Sequence, residues 1–211
     1  DKPSAAVVFA PGTIDVSLTV KNLTTGQTYT DAKAALITVV PETLYVKKGN
    51  ASAAFPYDTE ETASSILADA LAAAGDGSTI WLLPSEAADP DLDACSVGKT
   101  VTIVGKTGNP EDVVITHNGG SRTFTLRHSG ALIEGLTVSG SGAQGVDGGH
   151  LHLSAGTVRK CIIENGKATT DNSRVNGVNV FQAGGLIEDS VIRGGKSARD
   201  NDGANIAMSG G

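Results

Sequence analysis

The feature that most limits how this chain can fold is a repeat of about 27 residues in its second half. Pairs of apolar residues with one residue between them recur from position 124 to 151, 178 and 204, as Phe124/Leu126, Leu151/Leu153, Val178/Val180 and Ala204/Ile206. A second pattern, apolar-x-x-apolar-x-apolar, follows the first three pairs as Ile133/Leu136/Val138, Val158/Cys161/Ile163 and Ile187/Ser190/Ile192. Strand-like spacing with Gly-rich corners at this period indicates the stacked coils of a parallel β-solenoid, with two short strands in each repeat.

The composition agrees with a solenoid, because its core can be built from small aliphatic side chains. The chain has 211 residues, of which 39% are hydrophobic but only 4% aromatic, and 27 are Gly. Each coil of a solenoid buries its inward residues against the next coil, about 4.8 Å away, so the core grows by stacking. The length allows one solenoid and a small additional module.

Charge and hydropathy exclude two classes of partner. The net charge is −7 and the 16 basic residues are scattered, so no cationic stripe is available for phosphates and we expect no nucleic acid partner. No apolar run approaches the roughly 20 residues that span a bilayer, so we expect no membrane insertion. The first residues do not resemble a signal peptide, which places any export signal outside this chain.

Cys95 and Cys161 are expected to be buried thiols, with a disulfide as the alternative in an oxidising compartment.

Residues 7–40 alternate in the manner of antiparallel strands, at 7–9, 14–20 and 35–40, with turn residues between them. The sequence from Val8 to Asn22, VFAPGTIDVSLTVKN, resembles the second half of a PKD-type immunoglobulin-like domain. The resemblance covers about 35 residues and implies a partial immunoglobulin-like β-sandwich segment over residues 1–42. Because the first half of that domain is missing, we expect the chain to begin partway through a longer protein.

A connector and a capping helix are predicted over residues 43–78. Asp58 and Glu61 have the spacing of a capping box, apolar residues at 63, 66, 67, 70, 71 and 74 lie on one helical face, and Gly75 suits the C′ position. An amphipathic helix directly before a solenoid is well placed to cover its open end.

Residues 79–211 are predicted to form the β-helix itself. The stretches GKTVTIVG at 98–105, NPEDVVI at 109–115 and ALIEGLTV at 131–138 resemble the pectin-lyase-like right-handed parallel β-helix. The resemblance extends over about residues 45–211 and is closest to exported and surface-attached bacterial members. It implies a secreted or bacterial cell-surface location. Because the chain stops one strand into a new coil, we also expect its C-terminus to be a cut through a longer solenoid.

A polar row is expected on the outer surface. Inward and outward positions alternate along a strand, so the residues between the repeated pairs should stack coil on coil: Thr125, His152, Asn179 and Asn205. Such a row is a candidate surface for a polysaccharide or cell-surface glycan lying along the solenoid axis. The alternative is that these are ordinary solvent-facing residues. Glu134, Arg159 and Glu188 are expected to stack as a charge ladder, as are Lys160 and Asp189.

A calcium site is the second candidate. The segment 166–172 matches 195–201 at a step of 29, which would place Asp171 near Asp200, with Asp202 beside them. Clustered carboxylates and amide oxygens in loops are the ligands that Ca²⁺ prefers. The alternative is a ladder of Asn and Asp turn residues that needs no cofactor. His150 and His152 are a further possible metal pair, but no third ligand has a compatible spacing.

The enzymes of the pectin-lyase-like superfamily are polysaccharide lyases and polygalacturonases, and their motifs are largely missing here. The Asn-x-Asp, Asp-Asp, Gly-His-Gly and Arg-x-Lys elements of the hydrolases do not occur in the sequence. We therefore expect a non-catalytic structural or adhesin-like β-helix, with its outer polar row as a candidate glycan-binding surface. The alternative is the scaffold part of a polysaccharide lyase or glycoside hydrolase. A coil left uncapped near Ile206 would also expose strand edges, which predicts self-association through that end.

Overall fold

The computed structural model describes residues 9–84, 95–118, 120–168, 175–197 and 204–209. The chain divides into two compact units, one extending to Pro41 and the other beginning at Glu42. Each unit has a different β architecture, because the first is built from long antiparallel strands and the second from short parallel ones.

The first unit is an antiparallel hairpin of β1 (Gly12–Lys21) and β2 (Thr28–Val39). The strand expected at 35–40 is the end of the longer β2, and the strand expected at 7–9 lies mostly outside the described residues. A register shift between Ile14 and Val16 is accompanied by a positive φ of 51° at Ala35, whose N–H donates to Asp15 Oδ1 at 2.7 Å. Alternation places the apolar side chains of β1 on one face of the hairpin. The resemblance to a PKD domain stays a prediction.

The second unit begins with β3 (Thr43–Val46) and α1 (Leu67–Ala73), the one α-helix among the described residues. The expected helix start at Asp58 is wrong, and α1 has no side-chain N-cap. The reason is that the preceding segment pairs with the edge of β3: the N–H of Tyr45 donates to Tyr57 O, and the N–H of Ser64 donates to Tyr45 O, both at 2.8 Å. Residues that the capping-box spacing predicted to be helical instead form hydrogen bonds with the backbone at the edge of β3.

Helix α1 covers the beginning of the solenoid core. Leu67, Ala70 and Leu71 are buried and belong to the main hydrophobic cluster, as the predicted apolar face required. Lys99 closes the C-terminal end of the helix, because its Nζ donates to the carbonyl oxygens of Leu71 at 2.9 Å and Ala74 at 2.6 Å. A cation at this end also compensates the helix dipole.

Three parallel sheets form the solenoid, and each coil from Val101 onward contributes one short strand to each of them. Sheet I contains β3, β4 (Ser78–Leu82), β6 (Val101–Gly105), β9 (Leu132–Glu134), β12 (Thr157–Arg159) and β16 (Leu186–Glu188). Sheet II contains β7 (Val114–Thr116), β10 (Thr137–Ser139), β13 (Ile162–Glu164) and β17 (Val191–Arg193). Sheet III contains β5 (Cys95–Val97), β8 (Phe124–Leu126), β11 (Leu151–Leu153), β15 (Val180–Gln182) and β19 (Ile206–Met208). A short 3-10 helix (Pro110–Asp112) precedes β7, and β14 (Lys167–Ala168) pairs with β18 (Lys196–Ser197). The predicted all-β solenoid of stacked parallel coils, with one helix before it, is confirmed.

Equivalent residues stack in register through the core. The column in sheet I is made of Leu44, Ile80, Ile103, Ile133, Val158 and Ile187. The second sequence pattern is therefore confirmed, including Cys161, which is buried, as is Cys95, and the two sulfurs are not joined in a disulfide. Burial raises the pKa of the Cys161 thiol to about 11, so the sulfur is neutral and unreactive at neutral pH.

The first sequence pattern is placed correctly in two coils and two residues out of register in the others. Phe124 pairs with Leu151, but Leu151 pairs with Val180 and Val180 with Ile206, so Val178 and Ala204 do not belong to this column. The longer connection between β13 and β15 absorbs the difference. A shift of two residues preserves the inward and outward alternation, so the sequence pattern did not distinguish the two registers.

The shift moves Asn179 and Asn205 from the outer face to the corner before sheet III, which corrects their expected placement. Asn179 is completely buried: Oδ1 accepts the N–H of Gly166 at 2.8 Å, while Nδ2 donates to Arg193 O at 2.8 Å and to Asn205 Oδ1 at 3.1 Å. Asn205 Oδ1 also accepts the N–H of Gly195 at 2.8 Å. The side-chain oxygens thereby satisfy the backbone N–H groups of Gly166 and Gly195, which lie outside the sheet strands.

His150 occupies the same corner position one coil earlier, with Thr123 below it. Its Nε2 lies 3.0 Å from Gly140 O and its Nδ1 lies 3.3 Å from Thr123 Oγ1. Because a carbonyl oxygen can only accept, Nε2 carries the proton and Nδ1 accepts from the threonine hydroxyl. We call the stacked set Thr123, His150, Asn179 and Asn205 the corner ladder.

Asn179→Leu is expected to destabilise the protein. The substitution keeps the volume but leaves the Gly166 N–H without its partner and removes one of the two donors to the Arg193 carbonyl, at a cost of about 1–3 kcal/mol. Urea unfolding followed by circular dichroism measures the effect. Asn205→Leu, at a half-buried position, serves as the comparison and should cost less. An unchanged unfolding midpoint for Asn179→Leu would contradict the assigned role.

His150 is expected to make stability depend on pH. Burial lowers its pKa from 6.5 to about 4, so the unfolded chain takes up a proton near pH 6.5 while the folded chain resists protonation. The contribution of the uncharged His150 to the free energy of unfolding is therefore fully present above pH 6.5. It falls by about 3 kcal/mol as the pH drops to 4. His150→Asn introduces the residue found at this position in the next two coils and should flatten that decline. His152→Asn should retain most of it, and an equal slope in all three proteins would refute the assignment.

Candidate functional site

The outer face of sheet III carries one residue from each coil in a straight row. The members in register are Ser96, Thr125, His152, Phe181 and Ala207. Strand pairing fixes the row, because each residue sits directly above its partner in the neighbouring coil. We call this set the sheet III row.

A surface groove of about 260 Å³ opens at the end of the row that contains Ser96 and Thr125. Its described lining consists of Cys95, Ser96, Gly120, Ser121, Arg122, Thr125 and Val146. Two hydroxyl-bearing members of the row, Ser96 and Thr125, are therefore on its floor. Hydroxyls both donate and accept hydrogen bonds, which suits a ligand rich in hydroxyl groups.

Arg122 supplies a positive charge at this groove and is held in place by the backbone. Its Nε donates to Asp147 O at 2.8 Å, and Asp147 Oδ1 accepts the N–H of Asn176 at 2.6 Å. Because Nε is engaged by the carbonyl, the guanidinium plane has a defined orientation. The terminal nitrogens of a guanidinium are donors in a fixed fork, which can bind hydroxyl or carboxylate oxygens.

His152 and Phe181 continue the row with two rings. Their centroids are 5.2 Å apart and their planes are inclined by 75°, an edge-to-face contact. Burial lowers the pKa of His152, and the charges of Arg122 and Arg127 lower it further against an opposing effect of Asp147. At neutral pH the imidazole is therefore uncharged and offers both a polar edge and an apolar face.

Two of the four residues predicted for glycan binding, Thr125 and His152, are in the sheet III row. The prediction that Asn179 and Asn205 lie beside them is wrong, because both belong to the corner ladder and Phe181 and Ala207 take their places. Sequence reasoning also missed Ser96 and Arg122. The Cys95/Val97 pair, 29 residues before Phe124/Leu126, was the signal that would have added Ser96 to the row.

The predicted charge ladder on sheet I is confirmed in register, with Arg159 between Glu134 and Glu188. Arg159 Nη2 lies 2.7 Å from Glu134 Oε2, and Lys160 Nζ lies 3.2 Å from Glu134 Oε1. Partial burial acts to raise the pKa of Glu134, but the hydrogen bonds from Arg159 and Lys160 prevail and lower it. The carboxylate is thus engaged by two cations, as in a structural ion-pair network.

The proposed calcium ligands Asp171, Asp200 and Asp202 lie outside the described residues. The pairing of Lys167 with Lys196 and of Ala168 with Ser197 supports the step of 29 at the start of the segments 166–172 and 195–201. Within the described ranges, no group of three or more His, Cys, Asp or Glu residues is arranged to hold a metal ion. His150 and His152 do not form a pair on one face, since His150 is buried in the corner ladder.

Among the described residues, no helix is both long and apolar enough to cross a membrane. Comparison with protein-family models, with curated proteins and with solved structures found no match in any of the three. The parallel β-solenoid is therefore established by its own strand pairing, and its functional interpretation depends on the chemistry of its surfaces.

Proposed function

We propose that this chain is a non-catalytic, adhesin-like part of a secreted or bacterial cell-surface protein of the pectin-lyase-like type, and that it binds glycans through the sheet III row. The observation that supports this proposal best is the groove at Arg122, Ser96 and Thr125, continued along the solenoid axis by the rings of His152 and Phe181. A rigid solenoid can present such a row without any conformational change.

The chemistry of the row matches that of a sugar chain. Each pyranose ring has a rim of hydroxyl groups and an apolar C–H face. The hydroxyls of Ser96 and Thr125 and the guanidinium of Arg122 can bind the rim, while the ring of Phe181 can pack against a C–H face. A net charge of −7 argues against a nucleic acid as the extended polymer in this position.

A binding role is favoured over catalysis by the residues that line the groove. Hydrolysis of a glycosidic bond requires two carboxyl groups on either side of it, and the described lining residues include no carboxylate. The nearby Asp147 uses Oδ1 to hold the N–H of Asn176. The alternative, a scaffold part of a polysaccharide lyase or glycoside hydrolase, is distinguished by product formation.

Substitutions in the groove are expected to weaken glycan binding. Thr125→Val and Arg122→Gln together should reduce affinity for a bound oligosaccharide by about tenfold or more, since the first removes a hydroxyl without changing shape and the second removes the guanidinium and its charge. Isothermal titration against neutral and uronate-containing oligosaccharides, with and without Ca²⁺, measures the effect. Thr157→Val with Arg193→Gln is the matched control, because Thr157 lies on sheet I and Arg193 pairs with Glu164.

The same titrations separate the competing functions. Binding that the groove variant loses and the control variant keeps supports the proposal. Absence of binding to every oligosaccharide class contradicts it. Absorbance from unsaturated sugars, or new reducing ends, would show that the chain is an enzyme.

We also infer that copies of this chain associate through the last coil. Within the described residues, β16, β17 and β19 are paired on one side only. Leu186, Val191 and Met208 on these strands are 50%, 47% and 63% exposed. Unpaired strand edges beside apolar side chains favour pairing with another chain, and the opposite end is covered by α1.

Charged substitutions at this end are expected to abolish self-association. Leu186→Lys with Val191→Lys should shift the chain from dimers to monomers, because charges oppose pairing of apolar strand edges. Light scattering over a range of protein concentrations checks this. Leu18→Lys is the control for association through the exposed apolar face of the N-terminal hairpin. A monodisperse monomer of the unmodified chain at high concentration would refute the inference.

A further inference from the structure

A cluster of outward-facing aromatic residues lies on sheet I, away from the sheet III row. Tyr45 on β3 and Trp81 on β4 are partners in register and both are half-buried. Their neighbours Leu44 and Ile80 point into the core instead. In a chain with only 4% aromatic residues and a single Trp, two large rings side by side on an outer face are not required for the core.

A positive charge is bound between these rings and a carboxylate. Lys106 Nζ lies 5.1 Å from the centroid of the Tyr45 ring and 5.2 Å from that of the Trp81 ring. The same nitrogen lies 3.4 Å from Glu60 Oε1. The backbone of Lys106 is anchored, because its N–H donates to Leu82 O at 2.9 Å.

The surroundings of this nitrogen are those that proteins use to recognise ammonium groups. The faces of Tyr and Trp rings carry negative potential and attract a cation within about 6 Å of the ring centroid. The Glu60 carboxylate, 3.4 Å from the same nitrogen, adds to the compensation of charge. The three groups come from three separate segments, β3, β4 and the segment before α1, and they converge on one point.

We propose that Tyr45, Trp81 and Glu60 form a cage for quaternary ammonium groups of the choline type, in which the side chain of Lys106 occupies the place of the ligand. An incoming ammonium group takes over the contacts with both rings and with Glu60. The displaced Lys106 stays close by because its backbone is anchored. It then offers a positive charge to any anionic group that the ligand carries next to its ammonium.

The cage can be tested directly, because Trp81 is the only Trp of the chain and reports on it by fluorescence. Lys106→Met keeps the aliphatic stem and removes the competing charge. Titration of this variant with choline chloride should give a saturable change in Trp fluorescence, whereas sodium chloride at equal ionic strength should not. The unmodified chain should bind choline about tenfold more weakly or worse, because Lys106 competes for the cage.

Further variants assign the individual contacts. Tyr45→Leu or Glu60→Gln, each combined with Lys106→Met, should reduce choline affinity by about threefold to tenfold. Lys196→Met, on the distant β18, is the matched control and should behave like the unmodified chain. Phosphocholine should bind the unmodified chain more tightly than choline does, through Lys106, and this advantage should disappear in Lys106→Met.

The outcomes separate the cage from its alternatives. A folded Lys106→Met protein with no saturable response to choline would overturn the proposal and leave Lys106 as a cover for the two rings. A stronger response to methyl glucoside than to choline would overturn it in favour of a sugar-stacking surface. Circular dichroism verifies folding, and Lys106→Gln replaces the first variant if that one does not fold.

Discussion

The hydrogen bonds between successive coils are the interaction on which the rest of this structure depends. Because the strands are parallel and in register, each residue lies directly over its equivalent in the neighbouring coil. One sequence position therefore becomes one column. The aliphatic column of sheet I, the charge ladder at Arg159 and the sheet III row are three results of the same backbone pairing.

Stacking also explains why polar side chains can be buried at the corner before sheet III. The backbone N–H groups of Gly166 and Gly195 lie outside the sheet strands, so the side-chain oxygens of Asn179 and Asn205 supply their hydrogen bonds. His150 performs this task one coil earlier through Nε2. Since imidazole can be protonated and an amide cannot, a single change of residue type along the ladder introduces sensitivity to acid.

The two proposed binding surfaces use two of the three outer sheet faces of the solenoid in different ways. The sheet III row offers hydroxyls, a guanidinium and two rings along the axis, which suits an extended hydroxyl-rich polymer. The cage on sheet I gathers two rings and a carboxylate around one point, which suits a compact cation. Neither surface needs residues from the other, so their ligands can be examined independently.

The sequence by itself determined the stacked parallel coils, the inward columns, the buried face of the helix and the charge ladder, because these follow from repeated spacing and from alternation. It also identified Thr125 and His152 as outward residues. Only the tertiary structure decided that Asn179 belongs to the corner ladder and Phe181 to the row, because two registers that differ by two residues have the same alternation. It alone brought Glu60 and Lys106 to Trp81, since contacts between distant segments are set by how the coils stack and not by any local pattern.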